Sequence, residues 1–179
     1  MQLPASFTRL ALFVSTAFSG LVPTSTPSAA SAKSMSTSPA SSTNDASRPA
    51  VKWPEPITSY DVHVYWLPSS KKQRAEAVAM YRKAQQLFPH LLFGHIHDRP
   101  VGPHPYCMYE IDIHKAEDFS RFVPWVALNH GSLSVLIHPH SGDMVKDHTE
   151  YALWLGEKVP LDVGMLQEYQ DYLTRRGEL

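Results

Sequence analysis

What most constrains the fold of this chain is the order in which its hydrophobic periodicity changes between Tyr60 and Pro139. Tyr60-Asp61-Val62-His63-Val64-Tyr65-Trp66 is rich in β-branched and aromatic residues and stops at Pro68, which predicts a strand. Its alternation puts Asp61, His63 and Tyr65 on one face and Val62, Val64 and Trp66 on the other. Ser69 and Ser70 can cap a helix running to about Phe88. Gln73 stands at capping-box spacing from Ser70, and Ala77, Tyr81, Ala84 and Phe88 recur at helical intervals. Leu91 to His97 reads as a short strand, and residues 98–105 as a loop stiffened by three prolines. Cys107 to Ile113 reads as a strand with Met108, Glu110 and Asp112 on one face. A helical region follows over Ala116 to His130, which Pro124 should kink or split and Gly131 should stop. Leu133 to Ile137 is the most strand-like run and ends at His138-Pro139. Two short helices are expected at the C-terminal end, near Asp147 to Leu155 and after Leu161, where Met165, Leu166 and Tyr169 have helical spacing.

Strand, helix, strand, strand, helix, strand is the α+β, ferredoxin-like βαββαβ sandwich, whose strands lie in the order 4-1-3-2. That order seats the first strand between the strand ending at His138 and the strand carrying Glu110. His63, His138 and Glu110 then lie on adjacent strands, provided that they share a face. A one-residue slip in register would undo this.

Composition sets the limits on function. Residues 1–50 contain 32 Ser, Thr, Pro or Ala and only four charges, so they read as a low-complexity segment preceding a folded domain at residues 51–179. Leu10 to Val22 is an apolar run too short to span a membrane. With Ala30-Ser31-Ala32 it fits a secretory signal, while the Ser-rich, acid-poor context fits a transit peptide, and a disordered tail fits equally well. A cytoplasmic location is expected for the folded part, with targeting by residues 1–32 as the alternative. Residues 51–179 carry 13 Lys and Arg against 16 Asp and Glu, which excludes the basic footprint of a nucleic-acid binder. The one cysteine, Cys107, excludes a disulfide framework and a zinc–thiolate site, so a metal would have to be held by His and carboxylate. All ten histidines lie between His63 and His148.

Two histidines and a carboxylate on one side of a metal leave coordination positions open, the pattern of non-haem Fe(II) oxygenases. His63, His138 and Glu110 can supply it, and His104, held between Pro103 and Pro105, is a competing ligand. Taken singly, a strand histidine is more often a hydrogen-bonded structural residue. The run Ile137-His138-Pro139-His140-Ser141-Gly142-Asp143 puts polar groups at the end of the sheet, where sites are commonly built. Asp147 and Thr149 can serve as helix caps, and His148 suits acid/base work near neutral pH. Trp53, Trp66, Trp125 and Trp154 read as core.

Four segments together, Ser59 to Tyr65, Pro100 to Pro105 with Met108 to Ile111, Leu133 to Pro139, and Asp147-His148-Thr149 with Trp154-Leu155-Gly156, resemble the DOPA 4,5-dioxygenase family over about residues 55–165. The resemblance implies a small ferredoxin-like domain, often a homodimer, that uses Fe(II) and O2 to cleave the ring of a catechol such as L-DOPA in extradiol fashion, giving seco-DOPA products. It places His63, His104 and His138 at the family's motif histidines and His148 in its Asp-His-Thr motif. Under this reading iron is held by two or three of His63, His104, His138 and Glu110, while His148 takes a catechol proton and later returns it. One departure is Ser141 where the turn is expected to carry Thr, and His140 beside it is an added metal-capable group. A related metalloenzyme acting on another phenolic compound and a dimeric ligand-binding protein without turnover are the competing functions.

Overall fold

The computed structural model describes residues 50–178. The N-terminal readings, whether signal, transit peptide or tail, therefore lie outside the described residues. The first strand, β1 (Tyr60–Trp66), is followed by α1 (Lys71–Leu87), β2 (Leu92–Phe93), β3 (Cys107–Ile113), α2 (Ala116–Asn129) and β4 (Ser134–Pro139). Then come α3 (Met144–His148), β5 (Leu153–Leu155) and α4 (Val163–Arg176). The strands form one antiparallel sheet ordered β2-β3-β1-β4-β5, so the ferredoxin-like order is present with a fifth strand added beside β4.

One face of this sheet is aliphatic and aromatic. Val62, Val64, Trp66, Tyr109, Ile111, Ile113, Val135 and Ile137 are buried there with Ala77, Met80 and Ala84 of α1 and Phe122 and Val126 of α2. Helix α1 starts as its sequence suggests, with the Ser70 side chain accepting from the Gln73 backbone N–H. Gln73 returns its side-chain oxygen to the Leu67 N–H, one turn beyond the usual partner, because the Ser70 N–H already bonds the Leu67 carbonyl. The opposite face buries a smaller group, Tyr65, Met108, Leu136 and Val159, and beyond it the same alternation presents Asp61, His63, Glu110 and His138.

Four expectations are corrected. Pro124 does not split α2, which runs unbroken from Ala116 to Asn129. Pro124 and Ser120 are both exposed, so the carbonyl that loses its helical partner faces water. Asp147 to Leu155 is not a helix: α3 ends at His148, and Leu153–Leu155 pairs with β4, Trp154 opposite Leu136, which satisfies backbone groups a helix would have used internally. The N-cap of α3 is Asp143, whose carboxylate accepts from the Lys146 N–H, rather than Asp147 or Thr149; Thr149 instead closes the helix as its C-cap, its N–H donating to the Lys146 carbonyl. The strand expected over Leu91 to His97 shrinks to Leu92–Phe93 with an isolated bridge from His97 to Met108. Between them Gly94 lies against Glu110, where a Cβ would come within 2.8 Å of Glu110 Cγ. Among the described residues no helix is long and apolar enough to cross a membrane.

Candidate metal and active site

The register puts His63 directly opposite Glu110 on β3 and Asp61 opposite His138 on β4, so the shared face assumed from alternation is present. His104 is brought over this face by the proline loop, whose Val101 and His104 close a short backbone bridge. His148 comes from α3, which is tied down because buried Asp147 accepts from Ser141 Oγ at 2.6 Å and from the Ser141 N–H at 3.0 Å. The hydroxyl of Ser141, where Thr was expected, therefore does hold the turn. All four histidines, His63, His104, His138 and His148, are buried and line one cavity of about 310 Å³ with Asp61, Glu110, Asp112 and His140.

The four rings cluster together. The His63 centroid is 4.6 Å from that of His104, 5.1 Å from His138 and 6.2 Å from His148, and the His138 and His148 centroids are 3.9 Å apart. Ligating atoms of His63, His104 and His148 all lie within 4.8 Å of one another, and so do those of Asp61, His63 and His138. Glu110 belongs to neither group. It stands behind His63, with Oε2 3.9 Å from Nδ1.

The outward nitrogens decide what the inward ones can do. His138 Nδ1 lies 2.9 Å from the Pro139 carbonyl, and His148 Nδ1 2.9 Å from the Met144 carbonyl. A carbonyl only accepts, so both imidazoles carry their hydrogen on Nδ1 and, when neutral, present a bare Nε2. His104 Nδ1 meets the Tyr65 hydroxyl at 2.8 Å.

Burial keeps these rings neutral. Loss of hydration, and then the neighbouring His104, His138 and His148, push the His63 pKa well below the usual value. Burial followed by His148 does the same for His138, and burial followed by His148 and His97 takes His104 to about 3. Burial also lowers His148, partly offset by the Met144 carbonyl and Asp61. His140 moves the other way, raised first by its 2.8 Å bond to Asp61. Glu110 is pushed up to about 7 by burial and by Asp61 and Asp112, and Asp112 to about 6 by burial and Asp61.

This arrangement can be tested for its fit to a cation. His63 Nε2 and His138 Nε2 are 3.0 Å apart, and His138 has no hydrogen there, so in the absence of a cation His63 must place its own between them. That leaves His63 Nδ1 as a bare acceptor, buried and without a partner, facing a carboxylate. A cation taken up by the Nε2 lone pairs moves the His63 hydrogen to Nδ1, where it points at Glu110. The orphaned atom then becomes a donor beside an acceptor, the usual support of a metal-bound imidazole. The donor set of neutral imidazoles suits Fe(II) and its neighbours in the first transition row.

All five residues singled out from sequence thus meet in one cavity. Two further residues of the site, Asp61 and Tyr65, receive no role from sequence alone. They lie two positions either side of His63, so the alternation of β1 places them on its face, and that spacing is the signal that finds them.

The comparisons with known proteins point the same way. The chain is 34% identical over 128 residues to an uncharacterized 21.2 kDa protein of Botryotinia fuckeliana, covering 65% of this chain and 70% of that one. It is 26% identical over 115 residues to the DOPA 4,5-dioxygenase of Amanita muscaria, covering 62% of this chain and half of that protein's length. A crystal structure from Nostoc punctiforme, described as a "putative dioxygenase", superposes with a TM-score of 0.57 at 34% identity over 63% of this chain and 94% of that one. The sequence profile of the Dopa 4,5-dioxygenase family matches residues 60–165, a span that begins at β1 and contains every histidine of the cavity, and by that match the chain belongs to this family.

Proposed function

We propose that this protein is an Fe(II)-dependent extradiol dioxygenase that opens the ring of a catechol such as L-DOPA. The observation that carries the reading is the convergence of four buried, neutral histidines with an orphaned His63 Nδ1, inside a cavity large enough for one substituted ring. His63, His104 and His148 hold the metal: they are three neutral donors within mutual reach, whereas in the second group Asp61 is already engaged by His140. This assignment exchanges roles suggested by the sequence, making His148 a ligand and His138 the proton carrier. It also makes Glu110 the support of His63 rather than a ligand.

Fe(II), when bound, supplies a centre at which electrons can pass from an aromatic diol to O2. The chain's own residues do the rest. His138, with a bare Nε2 beside His63, accepts a proton from a catechol hydroxyl and later returns it. Pro103, Met144 and Leu166 give the cavity an apolar wall that orients the ring and excludes water. Asp61, Glu110 and Asp112 line it, and no Lys or Arg among the described residues does, which favours a neutral or amino-bearing tail over an anionic one.

The test is O2 uptake and visible absorbance of the full chain, loaded with Fe(II), given L-DOPA and simpler catechols beside His63→Ala. A coloured product with matched O2 consumption, absent in the variant, is expected. Bound iron without uptake on any catechol would redirect the reading to another phenolic substrate or to a binding protein. Metal content separates the two ligand groups: His104→Ala and His148→Ala should lose iron, whereas His138→Ala should keep it and lose turnover.

A further inference from the structure

Of the four buried histidines of the cavity, two are held at Nδ1 by backbone carbonyls and so have their hydrogen assigned by the fold: His138 by Pro139 and His148 by Met144. His104 is different. Its Nδ1 partner, the Tyr65 hydroxyl at 2.8 Å, can donate or accept, and the choice decides whether Nε2 faces the cavity as a lone pair or as an N–H. Tyr65 is itself held rigidly. It is 1% exposed, stacks on Trp154 with ring centroids 5.9 Å apart, and packs with Met108 and Leu136.

We propose that Tyr65 is a positioning residue of the metal centre: its hydroxyl accepts the His104 Nδ1–H, which fixes the imidazole in the orientation and tautomer that present a bare Nε2 to the cation. The inference rests on the metal reading above and extends it to a residue outside the ligand set. The physical reason is the one that governs metal-bound imidazoles generally: an acceptor on the far nitrogen selects the ligating tautomer and raises the basicity of the near one. Placing the acceptor two residues from His63 on the same strand also ties two ligands to one rigid element.

Co(II) is the probe, added to the full chain and followed by its visible d–d absorption. Tyr65→Phe should bind Co(II) about 10- to 100-fold more weakly and with a shifted band. Tyr109→Phe is the control, because Tyr109 is equally buried on the other face of the sheet and its hydroxyl has no partner. Its affinity and spectrum should match the parent chain, which separates loss of a buried hydroxyl from loss of the His104 contact. A Tyr65→Phe spectrum and affinity equal to those of the parent would overturn the inference while leaving the metal reading intact. A parent chain that takes up no Co(II) would overturn both. If Tyr65→Phe fails to fold, ¹⁵N NMR of the Zn(II)-loaded parent decides: His104 with its hydrogen on Nδ1 is expected, and a hydrogen on Nε2 refutes the proposal.

Discussion

Glu110→Gln tests the electrostatics of the site most directly. In the metal-free protein the Glu110 carboxyl is 23% exposed and its pKa is raised from 4.5 to about 7, chiefly by burial. A carboxyl raised on folding favours the native state only while protonated. Its contribution is fully present below the unfolded pKa and lost as pH rises through the folded one. A tenfold change in a proton-binding constant corresponds to about 1.4 kcal/mol, so the ionised Glu110 costs about 3 kcal/mol above pH 8. Gln has the shape of the protonated acid and does not ionise. Between pH 5.5 and 8.5 the stability of Glu110→Gln relative to the parent should therefore grow by about 2 kcal/mol. The lower end is set by the histidines, which oppose folding when they must be buried neutral below their ordinary pKa. Urea unfolding of both proteins in the presence of a chelator, at half-unit steps of pH, measures the difference. Any constant offset from the amide's own hydrogen bonds leaves the slope untouched. A difference that does not change with pH would refute the account of Glu110. Repeating the series with Zn(II) should flatten or reverse the slope, because a cation on His63 turns its Nδ1–H toward an ionised carboxylate.

Acid should unfold the metal-free protein early. His104 is lowered to about 3, and His63 and His138 are lowered too, so stability present above pH 6.5 is lost as pH falls below it; a stability profile level from pH 7 to 5 would contradict this. Phe122, fully buried between Phe88 and Trp125 at centroid distances of 5.0 and 5.7 Å, should cost roughly 3–5 kcal/mol when replaced by Ala, read by denaturant titration. Gly156→Ala should cost about 1 kcal/mol or more and loosen β5 in hydrogen exchange, because its φ of +70° and a Cβ 2.9 Å from the Leu133 carbonyl oxygen both resist a side chain. Catechols with an amino tail should show lower KM than catechol carboxylates of similar size; the reverse order would mean that the cavity carboxylates do not face the tail.

The sequence by itself determined the elements whose hydrophobic pattern is local. β1, α1, β3 and β4 fall where alternation and helical spacing put them, since a side chain's face is set by the two or 3.6 residues of its own repeat. It also determined the sheet order, because short connections leave few ways to arrange βαββαβ, and with the order came the neighbourhood of His63, Glu110 and His138. What it did not determine depends on partners far away in the chain. Leu153–Leu155 is a strand only because β4 offers an unpaired edge, and Gly94, next to Leu92–Phe93, lies where a Cβ would meet Glu110 of β3. The roles inside the cavity were decided by tertiary structure alone. Which nitrogen of each imidazole is free follows from the carbonyls of Pro139 and Met144 and the hydroxyl of Tyr65, and no spacing of residues along a chain encodes the direction of those bonds.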